Sequence, residues 1–250
     1  VSLPYEVHVD AIEQEAERIG ELAERGVKVA IKSTPGRDFE ALLFHLATTF
    51  EAAVAQLRAA DQSAEVAQRT ELTGSVLDCF ETSRLTIVAL LRDHEPADPC
   101  WNVVGEDLSV GFLARRLAHE SAIHRVDAEV ARGTATTIDS ELAVDGVDER
   151  LFVVLAHHSD EGEVPELGGS ICLICSDTDA AWSIDASRGR FRVRAGRAPA
   201  DAAVVATASD IFCFSWNRPT IRPLQVTGRM AVVEAWHQLP GEFSGLEEHL

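Results

Sequence analysis

The periodicity of apolar residues changes partway along this chain, and that change restricts the fold more than any single motif. Up to about residue 132, apolar side chains recur at three- and four-residue steps, the pattern of helices that each bury one stripe. Past Thr137 they come in short alternating runs, the pattern of strands. A purely helical or purely β chain is therefore excluded. The expected class is α+β, with an N-terminal four-helix bundle over 1–138 and a small mixed α/β C-terminal domain over 139–250.

Four helices are predicted in the first part. Residues 6–26 carry Val9, Ile12, Ala16, Ile19 and Leu22 on one stripe and stop at Gly26. Pro35-Gly36 breaks the chain, and a strongly apolar helix then runs from Phe39 to about Ala60. A third spans roughly Glu71 to Arg92, ended by the two prolines of "HEPADPCWN". The fourth runs from about Ser109 to Arg132, with Gly133 placed for a left-handed cap. In the second part "DSELAVDGVDERLFVVLAHH" reads as helix with Asp139 as N-cap. Strands are expected at "SICLIC", "AAWSIDA", "RFRVRA" and "AAVVATA", and helices at "ASDIFCFSWN" and "RMAVVEAWHQL".

Composition removes several function classes. Lys and Arg number 22 against 41 Asp and Glu, a net charge of -19 that repels phosphate backbones and anionic membranes. Neither nucleic acid nor a membrane is an expected partner. Five cysteines, an odd and scattered set, suit reduced thiols rather than a disulfide framework. The charged N-terminal segment does not resemble a signal peptide, and the uncharged run Ala41–Phe50 is too short to cross a bilayer, so a cytoplasmic protein is expected.

The chemistry concentrates in the fourth helix, at "RRLAHESAIHRVD". His119 and His124 are five residues apart, one too many for the His-Glu-x-x-His of zinc proteases. Glu120 and His124 are four apart and stack on one helix face, able to present an oxygen and a nitrogen to one point. They share the stripe of Leu113, Leu117 and Asp127. His45, inside "ALLFHLATTF", has only apolar or uncharged neighbours from Ala41 to Phe50 and is expected to point inward. Two histidines and a carboxylate from two helices would leave a divalent cation an open position, as catalytic sites require. Asp127 is placed to accept from the His124 ring. The plain alternative is that His45 is a satisfied core histidine and Glu120–His124 a surface helix pair.

"RRLAHESAIHRVDAEVARG", followed by "LAVDGVDERL", resembles the signature of the mycothiol-dependent maleylpyruvate isomerase family, a branch of the DinB-like metal-binding four-helix proteins. "FEALLFHLA" is similar to that family's first metal-binding helix, and "DTDAAWSID", "ATASDIFCFSWNRP" and "VTGRMAVVEAW" to its C-terminal domain, which covers the active-site cleft. The resemblance implies a divalent metal, most often zinc, on His45, Glu120 and His124, with mycothiol as cosubstrate. It implies Arg218 as the residue that meets substrate or mycothiol. It also implies a small anionic or electrophilic metabolite as reaction partner and a monomer or weak homodimer.

Two departures bear on the substrate. Arg229 stands where the family commonly has an acid, and Asn217 where it has glycine. Mycothiol S-transfer or thiol exchange is therefore expected ahead of maleylpyruvate cis–trans isomerisation, with a non-catalytic metal- or thiol-binding or interaction module as the third reading.

Other features carry plainer expectations. Arg188, Arg190, Arg192 and Arg194 alternate with Phe191 and Val193, giving a solvated or anion-holding strand face. Cys172 and Cys175 would point to opposite faces of a strand. His157–His158 reads as a cap or surface pair, and Trp182, Trp216 and Trp236 as packing residues.

Overall fold

The computed structural model describes residues 2–33, 36–59, 73–102, 104, 107–160, 164–187 and 190–239. The chain divides into two compact units, one over Leu3–Thr136 and the other starting at Thr137. The architecture is α+β.

The first unit is built on α1 (Tyr5–Ala23), α2 (Phe39–Arg58), α3 (Val76–Arg92) and α4 (Val110–Arg132). Each of α1 and α2 packs against both α3 and α4, so the helices close a ring around one core. Local chemistry sets their ends. Asp38 accepts from the backbone of Ala41, Ser75 from Asp78 and Ser109 from Phe112, each satisfying a helix N–H that has no partner within its own helix. Gly133 closes α4 at φ +70°, the left-handed cap its position predicts. Ile12, Ile19, Leu43, Leu46, Phe50, Phe80, Ile87 and Leu91 are fully enclosed. α1 ends at Ala23, three residues short of Gly26; the expected C-terminal end of α2 and N-terminal end of α3 lie outside the described residues.

The second unit opens with α5 (Ser140–Glu149), capped by Asp139 through the backbone of Glu141 and Leu142. A π-helical turn, Arg150–Val154, joins it to α6 (Leu155–Asp160). The sequence pattern reads straight through this segment as one α-helix. The wider turn advances the helical phase of everything after it. His158 is buried, which corrects the expected surface pair.

Five strands follow: β1 (Gly169–Cys175), β2 (Ala181–Ser187), β3 (Arg190–Ala195), β4 (Ala202–Ala206) and β5 (Gln225–Gly228). Their order is β3-β2-β1-β4-β5, antiparallel except for the parallel pair β1/β4. α7 (Ala208–Ser215) and α8 (Met230–Trp236) pack on β1 and β4. Ile171, Leu173 and Cys175 fill one face of β1, while Cys172 is buried on the opposite one. All five cysteines are free. Trp182, Trp216 and Trp236 are buried packing residues, as expected. Among the described residues no helix is long and apolar enough to cross a membrane.

Candidate metal centre

Packing of α2 against α4 brings His45 to the face of α4 that carries Glu120 and His124. Both imidazoles converge on one carboxylate oxygen. His45 Nε2 lies 2.9 Å and His124 Nε2 3.1 Å from Glu120 Oε1. The two rings stand edge to face with centroids 4.9 Å apart. One ligand atom from each residue falls within 4.8 Å of the other two, compact enough for all three to share a single ion. The side chains are 13% (His45), 9% (Glu120) and 12% (His124) exposed, so the cluster is nearly enclosed yet still reachable from outside.

A second ring of contacts holds these groups. His124 Nδ1–H donates to Asp127 Oδ2 at 3.0 Å, as the three-residue spacing predicts, which fixes the ring with Nε2 facing Glu120. Ser33 donates to the other oxygen of Asp127. Arg116, one turn before Glu120 and buried, places Nη2 3.5 Å from Glu120 Oε2. Sequence reasoning missed both. The Arg116–Glu120 spacing was visible, whereas nothing local to Ser33, in the turn before α2, signals a partner 94 positions away.

The electrostatics follow from these contacts. Burial alone would push the Glu120 carboxyl up, but hydrogen bonds from His124 and His45 and their positive charge hold it well below the usual range. Burial likewise works against a charged His124, but the hydrogen bonds and negative charges of Asp127 and Glu120 outweigh it and push its pKa up to about 9. With two imidazoles and a carboxylate within reach of one point, the cluster could hold a divalent cation that accepts mixed nitrogen and oxygen ligands.

His119 is absent from this cluster. Five residues from His124, it turns toward α1, where its ring meets His8 edge to face at 5.9 Å. Arg218 belongs to the C-terminal unit, 7% exposed, with Nη1 donating to the Trp216 carbonyl at 3.0 Å. Beside it, Asn217 holds φ +56°, the sole non-glycine with positive φ among the described residues. Its side chain secures that backbone by donating to Leu239 O and meeting His237 Nδ1. Of the arginine run, Arg192 and Arg194 are exposed on one strand face; Arg188 and the side chain of Arg190 lie outside the described residues.

Residues 9–129 match the family model described as the mycothiol maleylpyruvate isomerase N-terminal domain. The match covers most of the N-terminal unit and just under half of the chain, and marks that unit as similar to this domain. The matched span contains His45, Glu120, His124, Asp127, Ser33 and Arg116, the whole cluster, while Arg218 lies beyond it. No curated protein and no solved structure matches the chain.

Proposed function

We propose that this chain is a metal-dependent enzyme using mycothiol as cosubstrate, in which His45, Glu120 and His124 hold one divalent cation, zinc by preference. The observation that carries this reading is the convergence of two imidazole Nε2 atoms on one buried carboxylate oxygen inside a mycothiol-related domain. When bound, such a cation supplies Lewis acidity that favours the thiolate form of a thiol at neutral pH.

The chain's own residues do the positioning. Asp127 anchors His124 through Nδ1 and leaves Nε2 for the cation; Ser33 restrains Asp127; Arg116 offsets the charge on the second oxygen of Glu120. Arg218 is assigned to an anionic group of the substrate or mycothiol, a task that suits the guanidinium fork. The reaction is mycothiol S-transfer or thiol exchange on a small anionic or electrophilic metabolite, in an actinobacterial cytoplasm, by a monomer or weak homodimer. Cis–trans isomerisation of maleylpyruvate is the second reading, favoured by the description of the matching domain.

Metal analysis of the purified chain tests the first half: near-stoichiometric divalent metal is expected, and its loss in His45→Ala and Glu120→Ala. Mass spectrometry after incubation with mycothiol and maleylpyruvate, or with mycothiol and an alkylating electrophile, tests the second. A mycothiol conjugate marks transfer, an altered maleylpyruvate isomer marks isomerisation, and binding without either product refutes the enzyme reading.

A further inference from the structure

The open face of the C-terminal sheet carries a groove of about 530 Å³ that the metal centre does not use. Its walls follow from strand order. β3 and β4 run in the same direction but are separated by β2 and β1, so the chain leaving Ala195 must return across the sheet to enter β4 at Ala202. Three strand intervals are about 14 Å, and the six intervening residues reach at most about 22 Å when extended. The connection is thus long enough to cross the face with some slack, and Ala198, Pro199 and Ala200 wall the groove. Ser183 ties the start of this crossing down by donating to Gly196 O at 2.8 Å.

Register supplies the floor. Arg192, Asp185 and Ser170 form one row across β3, β2 and β1, and Arg194 and Ser183 begin the next. Residues two apart share a face, so both β3 guanidiniums stand on the groove side. Both are exposed.

Arg229 closes the far side, with Nη2 2.7 Å from Gly168 O and 3.4 Å from Asp201 Oδ1. It fits there because residue 169 is glycine: a Cβ would sit 2.2 Å from Arg229 Nη2 and 2.8 Å from Asp201 Oδ2. Asp201 is itself fixed by Ser170, whose backbone N–H and hydroxyl both donate to Oδ2.

We propose that this groove binds a small polyhydroxylated anion, a sugar phosphate or sugar acid. Arg192 and Arg194 grip its charged group and Arg229 approaches from the opposite side. Ser170, Ser183 and Asp185 face its hydroxyls. Paired guanidiniums match phosphate and carboxylate oxygens, while carboxylate and hydroxyl acceptors on the floor match a sugar ring rather than a second anion. A groove of this volume also matches the size of a single metabolite, in a chain whose net charge of -19 repels polyanions elsewhere.

Calorimetric titration of the full chain with glucose 6-phosphate, glucuronate and glucose at low salt tests this. Either or both anions are expected to bind and glucose not to; the stronger anion identifies phosphate or carboxylate as the charged group. The exposed double variant Arg192→Ala/Arg194→Ala should lower affinity at least about tenfold, with circular dichroism confirming an unchanged fold. Ala200→Trp should block binding by filling the groove without altering charge. The proposal is overturned if neither anion binds at up to about 10 mM, if glucose binds as well as the anions, or if the double variant keeps its affinity.

Discussion

Glu129 offers a quantitative test of how the N-terminal unit is held together. Its carboxylate is 1% exposed and receives four donors: Arg125 Nη1, Thr136 N and Thr136 Oγ1 at Oε2, each at 2.8 Å, and Arg18 Nε at Oε1, at 3.2 Å. This joins α1, α4 and the segment after α4 at one point. In Glu129→Gln the amide oxygen can occupy the Oε2 position and keep three donors, turning its NH2 toward Arg18, which is 36% exposed and free to swing away.

What is lost is the charge on the Arg125 bond and the whole Arg18 bond. Charge-assisted bonds contribute about 1.5–3 kcal/mol against about 1 for neutral ones, so the cost is about 2 kcal/mol. Glu129→Ala also strips the acceptor from Thr136 N and Arg125 Nη1 and should cost about 4 kcal/mol. Urea unfolding followed by far-ultraviolet circular dichroism measures both.

The pH dependence has a defined sign. Burial would raise the Glu129 carboxyl, but hydrogen bonds from Thr136 and the charge of Arg125 outweigh it, and its pKa in the folded chain lies below the ordinary 4.5. The stabilisation is complete above 4.5 and disappears as pH falls through the lowered value, so the gap between parent and Glu129→Gln should close only in that acid window. A Gln variant within about 0.5 kcal/mol of the parent, one as damaging as Ala, or a gap that closes above pH 4.5 would each refute the reasoning.

Three further outcomes are expected. Ser33→Ala and Asp127→Asn should weaken divalent-metal affinity about 10- to 100-fold while leaving the fold intact, read by chelator competition. Asn217→Gly should be near neutral in urea, whereas Asn217→Val should cost about 1–3 kcal/mol, because a β-branched residue is strained at φ +56°. Thiol titration of the native chain should show Cys79, the one partly exposed cysteine, reacting first. Cys100 and Cys175, whose thiols burial pushes up to about 11, should stay inert until unfolding.

Much of the candidate site was legible because it obeys helix arithmetic. Glu120, His124 and Asp127 are related by steps of four and three, and a histidine framed by leucines has few places to point but inward. Ser33 and the turn of His119 toward His8 depend on tertiary packing, which periodicity does not encode. In the fold, β5 escaped sequence analysis because it is a four-residue edge strand, exposed over most of its length and preceded by Pro223. The π turn escaped because one extra residue in a helix leaves an apolar pattern nearly unchanged.

The parallel pairing of β1 with β4 also governs the order in which the C-terminal unit can form. β1, β2 and β3 join through short connections and can associate as soon as they leave the ribosome, but Ile171 must wait for Ala202 before its other side is paired. Until then β1, a strongly apolar strand, is temporarily an edge, with Ile171 and Leu173 uncovered and a row of backbone groups open to any neighbouring chain. The nascent protein is most prone to aggregate in that interval, and α7, which follows β4 directly and packs on both strands, ends it.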